Sequence, residues 1–301
     1  MKTWLKRLGI LLAAVVLLLV GVAAYFYMKS GARINREYDV AVAPLLVSDD
    51  SSTVARGRHL AGAIALCEGC HGEGLKGKVL FDEPPVATVY APNLTAGLGG
   101  VGSAYSDSDY IRAIRHGVNR EARAIMVMHS DAYNFMSASD LTALVSYIRS
   151  LPAVDNEVPA RTVRPFGRVL MGMGAFDSET MPLFPAEVID HTLPAVDAPP
   201  VGATVEYGRY LATIALCGLC HGHDFTGGPP IEEGAPPAPN IAVYATSGAW
   251  TGDQFIGTMR TGVTPYGRSL NAEAMPWEVY RNMTDEELRA IWAFLESLGG
   301  E

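Results

Sequence analysis

The longest apolar run lies near the start of the chain. Leu8 to Tyr27 is a stretch of 20 uncharged, mostly apolar residues, about 30 Å as a helix, which matches a bilayer core. Beyond Thr53 the pattern becomes one of short amphipathic segments. Gly57 to Leu66 carries Leu60, Ile64 and neighbouring alanines at helical intervals and predicts a small helix. Ser106 with Asp109 three residues on is a capping-box-like start, predicting a helix to about Arg115 that Gly117 ends. Ser137 with Asp140 predicts a last helix with Leu141, Leu144, Val145 and Ile148 on one face, closed by Leu151-Pro152. The same order then returns. Gly208-Arg209-Tyr210-Leu211 leads to Ile214-Ala215-Leu216, Thr251 with Gln254 repeats the second cap, and Thr284 with Glu287 repeats the last, followed by Leu288, Ile291, Trp292 and Leu295.

A repeat at this interval means two copies of one domain rather than one large fold. We therefore expect a mainly α chain: an N-terminal anchor over 1–36, a tether over 37–53 bearing acids and no bases, and a first unit over 54–151. A Pro-rich linker over 152–204 and a second unit over 205–301 complete it. The linker is not poor in apolar residues, so it is expected to drape over both units and fix their relation, with Val169 to Phe176, including Met171 and Met173, packing between them.

Chemistry concentrates in Cys67-Glu68-Gly69-Cys70-His71 and Cys217-Gly218-Leu219-Cys220-His221, which use all four cysteines. Two cysteines one helical turn apart suit two thioether bonds to one haem edge, and the following His suits the iron. A four-cysteine zinc site, dithiol redox pairs or disulfides also use Cys-x-x-Cys, and none of them needs the His. For the sixth iron position the repeat nominates Met128 and Met275. Each stands eight residues before a Met, Met136 or Met283, that directly precedes the final cap, and each has a Tyr, Tyr133 or Tyr280, five residues on. Met126 and His129 compete in the first unit, where His129 follows Met128 while Pro276 follows Met275; core filling is the alternative for any single Met. Arg115 and Arg260 recur at matching places and suit haem propionates, or else a solvated helix face. His59, His116 and His223 have no aligned His and are expected at loop or surface positions; His191, in the linker, is expected to form structural hydrogen bonds.

Charge narrows the partners. The formal net charge is −9, yet six basic residues precede the first acid, leaving 17 bases against 32 acids in the rest. Such a surface excludes nucleic acid. Residues 54–151 carry nine bases and nine acids, whereas 205–301 carry five and twelve, so the second unit could steer a basic redox carrier; solubility is the alternative. The apolar run is longer than a signal-peptide core of roughly 7–15 residues, which favours an uncleaved anchor over a cleaved signal ending near Val22-Ala23-Ala24. Three bases precede it and three follow, so flanking charge does not orient it. Covalent haem attachment places the remainder on the periplasmic or extracellular side.

From Val54 to Leu298 the chain resembles the class I cytochrome c superfamily, and more narrowly the membrane-anchored dihaem and multihaem cytochrome c subunits such as those of bacterial alcohol and gluconate dehydrogenases. The two haem motifs carry the resemblance, together with Pro92-Asn93-Leu94 and Pro239-Asn240-Ile241, Arg115-His116-Gly117-Val118 and Arg260-Thr261-Gly262-Val263, and the terminal helices. It implies two haem c groups ligated by His71 with Met128 and His221 with Met275. It also implies outer-sphere transfer of single electrons between a membrane or dehydrogenase donor and a periplasmic acceptor, within a respiratory or other redox complex of a bacterial cytoplasmic membrane, by an electron-transfer protein rather than an enzyme. Two rivals are a dihaem peroxidase or thiosulfate-oxidising enzyme, with one catalytic haem, and a gas-binding or structural haem subunit. No acid/base pair, nucleophile triad or phosphate loop supports either.

Overall fold

The computed structural model describes residues 2–230 and 236–299. Helix α1 (Lys2–Ile34) leads into an extended segment. The first unit follows with α2 (Ser51–His59), which continues into one wide π turn (Leu60–Ile64), then α3 (Cys67–His71), β1 (Lys78–Glu83), β2 (Ala87–Ala91), α4 (Asp107–His116), α5 (Ser130–Tyr133) and α6 (Ala138–Ser150). The linker forms β3 (Thr162–Val163) and α7 (Pro165–Met173). The second unit is α8 (Val205–Ile214), α9 (Cys217–His221), α10 (Ala242–Thr246), α11 (Gly252–Thr261), α12 (Trp277–Tyr280) and α13 (Asp285–Ser297). The chain is mostly helical, as the apolar periodicity requires.

Side-chain caps set the helix starts. The reciprocal capping box forms at Ser106/Asp109, Thr251/Gln254 and Thr284/Glu287. At α6 only Ser137 caps, because the Asp140 carboxylate is taken by Arg56 and Tyr210 instead. Asp50 starts α2 earlier than the apolar pattern indicates, accepting from the amides of Ser52 and Thr53. Within each unit the first and last helices cross at a glycine. A Cβ on Gly57 would lie 1.9 Å from the Ala143 carbonyl of α6, and one on Gly208 would lie 1.9 Å from the Ala290 carbonyl of α13. Only a residue without a side chain lets the backbones approach this closely. Leu60, Ile64, Leu144 and Ile148 pack at the first crossing and Leu211, Ile214, Leu288 and Ile291 at the second, and all belong to one apolar core that runs through both units.

Three features differ from the pattern-based expectation. First, β1, β2 and β3 form a small antiparallel sheet, built from a loop and a linker segment too short to show strand periodicity. Second, residues 37–53 are not a free tether. Tyr38 and Val40 are buried on the first unit while the alternating Glu37 and Asp39 face out, an alternation that suits an extended segment laid on a surface. The Tyr38 amide donates to the Ala122 carbonyl (3.0 Å), Arg112 Nε to the Val40 carbonyl (3.2 Å) and the Ser48 amide to Ser146 Oγ (3.1 Å). Third, among the described residues, and apart from Thr204, which caps α8, the linker's hydrogen bonds to other parts of the chain go to the first unit and α1: Asn93 Nδ2 to the Val154 carbonyl (2.8 Å), Asn156 Nδ2 to the Lys76 carbonyl (2.6 Å) and Arg115 Nη2 to the Pro194 carbonyl (2.8 Å). Met171 is accordingly buried in a second apolar cluster with Tyr38, Met126 and Phe184, beside the first unit rather than between the units, and Met173 is exposed.

Helix α1 is long and apolar enough to cross a membrane, and none of its apolar window is buried. Its last turns dock on α7. A Cβ on Gly172 would lie 2.0 Å from the Phe26 carbonyl, Arg168 Nε donates to Ser30 Oγ (3.1 Å), and Arg33 pairs with both Asp177 and Glu187 at 2.7 Å.

Candidate functional site

The two Cys-His helices are launched by the same strained turn. Leu66 (φ 50°) and Leu216 (φ 60°) sit in the left-handed region, which costs an L-residue with a side chain roughly 1–2 kcal/mol. That turn reverses the chain from the end of the first helix into α3 or α9. The four thiols are free. Burial, then the neighbouring cysteine, pushes Cys67 and Cys217 up to about 12, so both are neutral thiols. The two pairs stand on separate helices in separate units. No group of three or more His, Cys, Asp or Glu among the described residues could hold a metal ion, so the four thiols do not meet in a zinc knuckle.

Each motif histidine is oriented by a backbone carbonyl. His71 Nδ1 lies 2.9 Å from the Pro92 oxygen, and His221 Nδ1 lies 2.8 Å from the Pro239 oxygen. A carbonyl accepts and cannot donate, so Nδ1 carries the proton in both rings. The Nε2 lone pair is left for a metal. Burial lowers both histidines' pKa against the opposing effect of this bond, keeping them neutral as ligation requires. The repeated Pro-Asn loops thereby acquire a function that the sequence shows only as a recurrence. Asn93 holds its loop shut: it is fully buried, and its Oδ1 accepts from the Thr95 amide (3.0 Å).

The nominated methionines occupy equivalent places. Met128 and Met275 are half-buried against the apolar core that also contacts Cys67 and Cys217. Their carbonyls accept from Ser130 and Trp277 amides at 2.8 and 2.7 Å, opening α5 and α12. Tyr133 Oη then donates to the Ala65 carbonyl and Tyr280 Oη to the Ala215 carbonyl, each at 2.5 Å. Each Met loop is thus tied to the residue two before the first cysteine. Met126 points elsewhere, into the cluster with Tyr38 and Phe184. His129 takes the position of Pro276 before the short helix, its carbonyl accepting from the Tyr133 amide (3.1 Å), and burial pushes its pKa down to about 4. Paired thiols, an Nε2 lone pair and a thioether at matching places in both units form a donor set that fits haem c.

The sequence pattern of the cytochrome c family matches residues 54–152 and 205–299. The chain belongs to the cytochrome c family. It is 28% identical to the fructose dehydrogenase cytochrome subunit of Gluconobacter japonicus, an alignment covering 85% of this chain and 54% of that protein. With the cytochrome c subunit of the quinone alcohol dehydrogenase of Gluconacetobacter polyoxogenes it shares 23% identity over 83% of this chain and 56% of the other. With the gluconate 2-dehydrogenase cytochrome c subunit of Pantoea cypripedii it shares 25%, over 85% and 62%. This cytochrome chain spans about half the length of the first two of these relatives.

The two cytochrome units meet directly, through paired positions. His59 and Tyr210 align in the repeat, and each reaches the opposite unit's terminal helix: His59 Nε2 lies 2.8 Å from Glu287 Oε2, and Tyr210 Oη donates to Asp140 Oδ2 (2.7 Å). Glu287 and Asp140 are themselves equivalent third residues of α13 and α6. Arg56 bridges the two, donating through Nε and Nη2 to Asp140 (2.9 and 3.0 Å) and through Nη1 to Glu287 (3.2 Å). Burial opposes the Glu287 carboxylate, but the bonds from His59 and Thr284 outweigh it and hold its pKa below the usual range. His59 is therefore an interface residue, not the loop or surface position expected of it.

His116, His191 and the two arginines also gain specific partners. His116 is buried, with Nδ1 3.2 Å from His191 Nδ1, and His191 Nε2 donates to the Ala186 carbonyl (3.1 Å). His116 is thus no surface residue, while His191 makes the structural bonds expected of it. Arg260 pairs with Asp285 (2.6 Å) and the Arg281 carbonyl, at the start of α13. Arg115 is buried and donates from Nη2 to the linker.

Proposed function

We propose that this cytochrome carries two covalently bound haem c groups, on Cys67/Cys70 and Cys217/Cys220, with His71 and Met128, and His221 and Met275, as the residues that would hold the irons, and passes single electrons between a dehydrogenase or membrane donor and an acceptor. Bound haem iron supplies the one-electron couple. The chain's own residues supply the rest. The carbonyls of Pro92 and Pro239 fix the imidazole tautomers, and the soft thioethers of Met128 and Met275 would, as iron ligands, favour the reduced state. The apolar core excludes water, and the Tyr133 and Tyr280 bonds hold each Met loop against its Cys helix.

The observation that carries this reading is the coincidence, in both units, of four features: a Cys pair, a carbonyl-oriented His, a core-facing Met and a Tyr latch. Assembly with a dehydrogenase is supported by the relatives' names, and the apolar span of α1 supports a membrane anchor; the periplasmic side follows from the covalent haem attachment proposed here. The test is haem stoichiometry and ligation in detergent-extracted protein. Two thioether-linked haems per chain are expected, with the red-end absorption band of thioether-ligated ferric haem, halved in either Met128→Ala or Met275→Ala. One haem per chain, or an unchanged band in both variants, overturns the assignment.

A further inference from the structure

Helix α7 is apolar on two opposite faces, and contacts within the chain account for one of them. On that face Gly167, Met171 and Gly172 are buried. Gly167 fits against the Val86 carbonyl of the first unit, where a Cβ would lie 2.2 Å away, and Gly172 fits against the Phe26 carbonyl of α1. The other face carries Phe166, Val169, Leu170 and Met173, spaced i, i+3, i+4 and i+7. Val169 and Leu170 are half-buried, while Phe166 and Met173 are 54% and 55% exposed. The one charged side chain of the helix, Arg168, turns to α1 instead: Nη1 donates to Tyr27 Oη (3.0 Å), and the guanidinium carbon lies 4.0 Å from the centre of that ring.

What covers the outward face follows from where α7 sits on α1. Gly172 meets Phe26, whereas Arg168 meets Ser30 and Gly31, so later residues of α7 lie beside earlier residues of α1. Helix α7 therefore runs back along α1 toward the apolar run, which ends at Tyr27. Tyr25 and Tyr27 mark the headgroup level, where aromatic residues with a polar tip collect. Met173, next to Gly172, thus stands where headgroups give way to acyl chains, and Leu170, Val169 and Phe166 follow outward. The end of the helix suits that depth, because the Gly174 and Ala175 amides donate to the Met171 and Leu170 carbonyls (both 3.1 Å) and spare those groups the need for water.

We propose that the outward face of α7 inserts into the lipid interface beside α1, with Leu170 and Met173 at the acyl boundary, and so holds the first unit against the bilayer at a second point. This placement rests on α1 spanning the membrane. An apolar face laid into the interface adds buried area to that of the anchor. Because α7 is clamped between Val86 and Phe26, its insertion sets the orientation of the first unit as well as its distance from the membrane.

The test is photolabelling of the haem-loaded full chain in phosphatidylcholine nanodiscs that include a phosphatidylcholine with a diazirine on its acyl chain, read by peptide mass spectrometry. Adducts are expected both on the apolar run of α1 and on the α7 residues Val169 to Met173. Adducts on α1 with none on α7 overturn the proposal and leave the anchor standing; adducts on neither overturn both. A second measurement uses single introduced thiols, the four native cysteines being held by haem. In the same nanodiscs Met173→Cys should react with a polar maleimide at least about tenfold more slowly than Leu46→Cys, since the thiolate is the reacting form and apolar surroundings suppress it; Leu46 is 91% exposed in the extended segment. Equal rates would show a face open to water, which overturns the proposal and leaves a protein partner as its occupant.

Discussion

Removing one oxygen at Tyr133 or Tyr280 isolates the bond that ties each Met loop to its Cys helix. The hydroxyl is fully enclosed and its partner is a backbone carbonyl with no other route to water. Tyr→Phe at either position leaves a buried acceptor unpaired, at a cost of about 1–3 kcal/mol. Chemical denaturation should show that loss, and the loosened thioether should let carbon monoxide reach the ferrous haem of the altered unit faster than that of the other. A second residue-scale effect follows from His116. Burial, then His191 and the nearby arginines, lowers its pKa from 6.5 to about 4. The unfolded chain therefore takes up the proton first as pH falls, so this contribution to stability is intact above about pH 6.5 and is lost on going down to about 4. The loss is at most about 3 kcal/mol. His116→Gln should flatten the decline of wild-type Tm over that interval; equal slopes would remove the account.

At the scale of elements, the two glycine crossings decide whether each unit closes. Gly57→Ala or Gly208→Ala places a methyl group inside the space of a backbone carbonyl on the facing helix, which forces the helices apart and opens the shared core. A loss of several kcal/mol is expected, of the size that overpacking and strain produce, read as a Tm drop far larger than for Ala at Gly62, where a Cβ would meet nothing within 4 Å. The same helices show what a sequence discloses and what it withholds. Their starts were legible because Ser106, Ser137, Thr251 and Thr284 cap through local bonds that residue type and spacing encode. The haem donors were legible because Cys-x-x-Cys-His is dictated by covalent reach. The carbonyls of Pro92 and Pro239 were not, since a backbone oxygen has no letter of its own and only the recurrence of Pro-Asn marked the place. The docking of 37–53 was not legible, because the alternation of Tyr38, Val40 and Val42 is too short to stand out among residues whose acids and Pro44 suit a solvated tether equally well. His59 and Tyr210 went unpaired in sequence because different letters do the same geometric work at one position of the repeat.

At the scale of the whole molecule, the relation between the two cytochrome units rests on direct contact rather than on the linker. The linker's bonds fasten α1 and the first unit, so the second unit is positioned by the shared apolar core and by the Arg56, His59, Asp140, Tyr210 and Glu287 cluster. Glu287 is the most exacting member, with its side chain 4% exposed and both oxygens engaged across the interface. Glu287→Gln keeps a residue that can cap α13 but removes the charge opposite Arg56 and His59. Breaking a buried pair from one side typically costs about 3–5 kcal/mol. Because those groups span the two units, much of the cost should appear as loss of coupling between them. Wild type should unfold in one transition, whereas the variant should melt in two, the second unit first. Electron tunnelling falls steeply with distance, so rapid photoreduction of one haem should be followed by slower equilibration with the other in Glu287→Gln than in wild type. A variant with unchanged equilibration and a single transition would mean that the apolar core alone holds the two units in register.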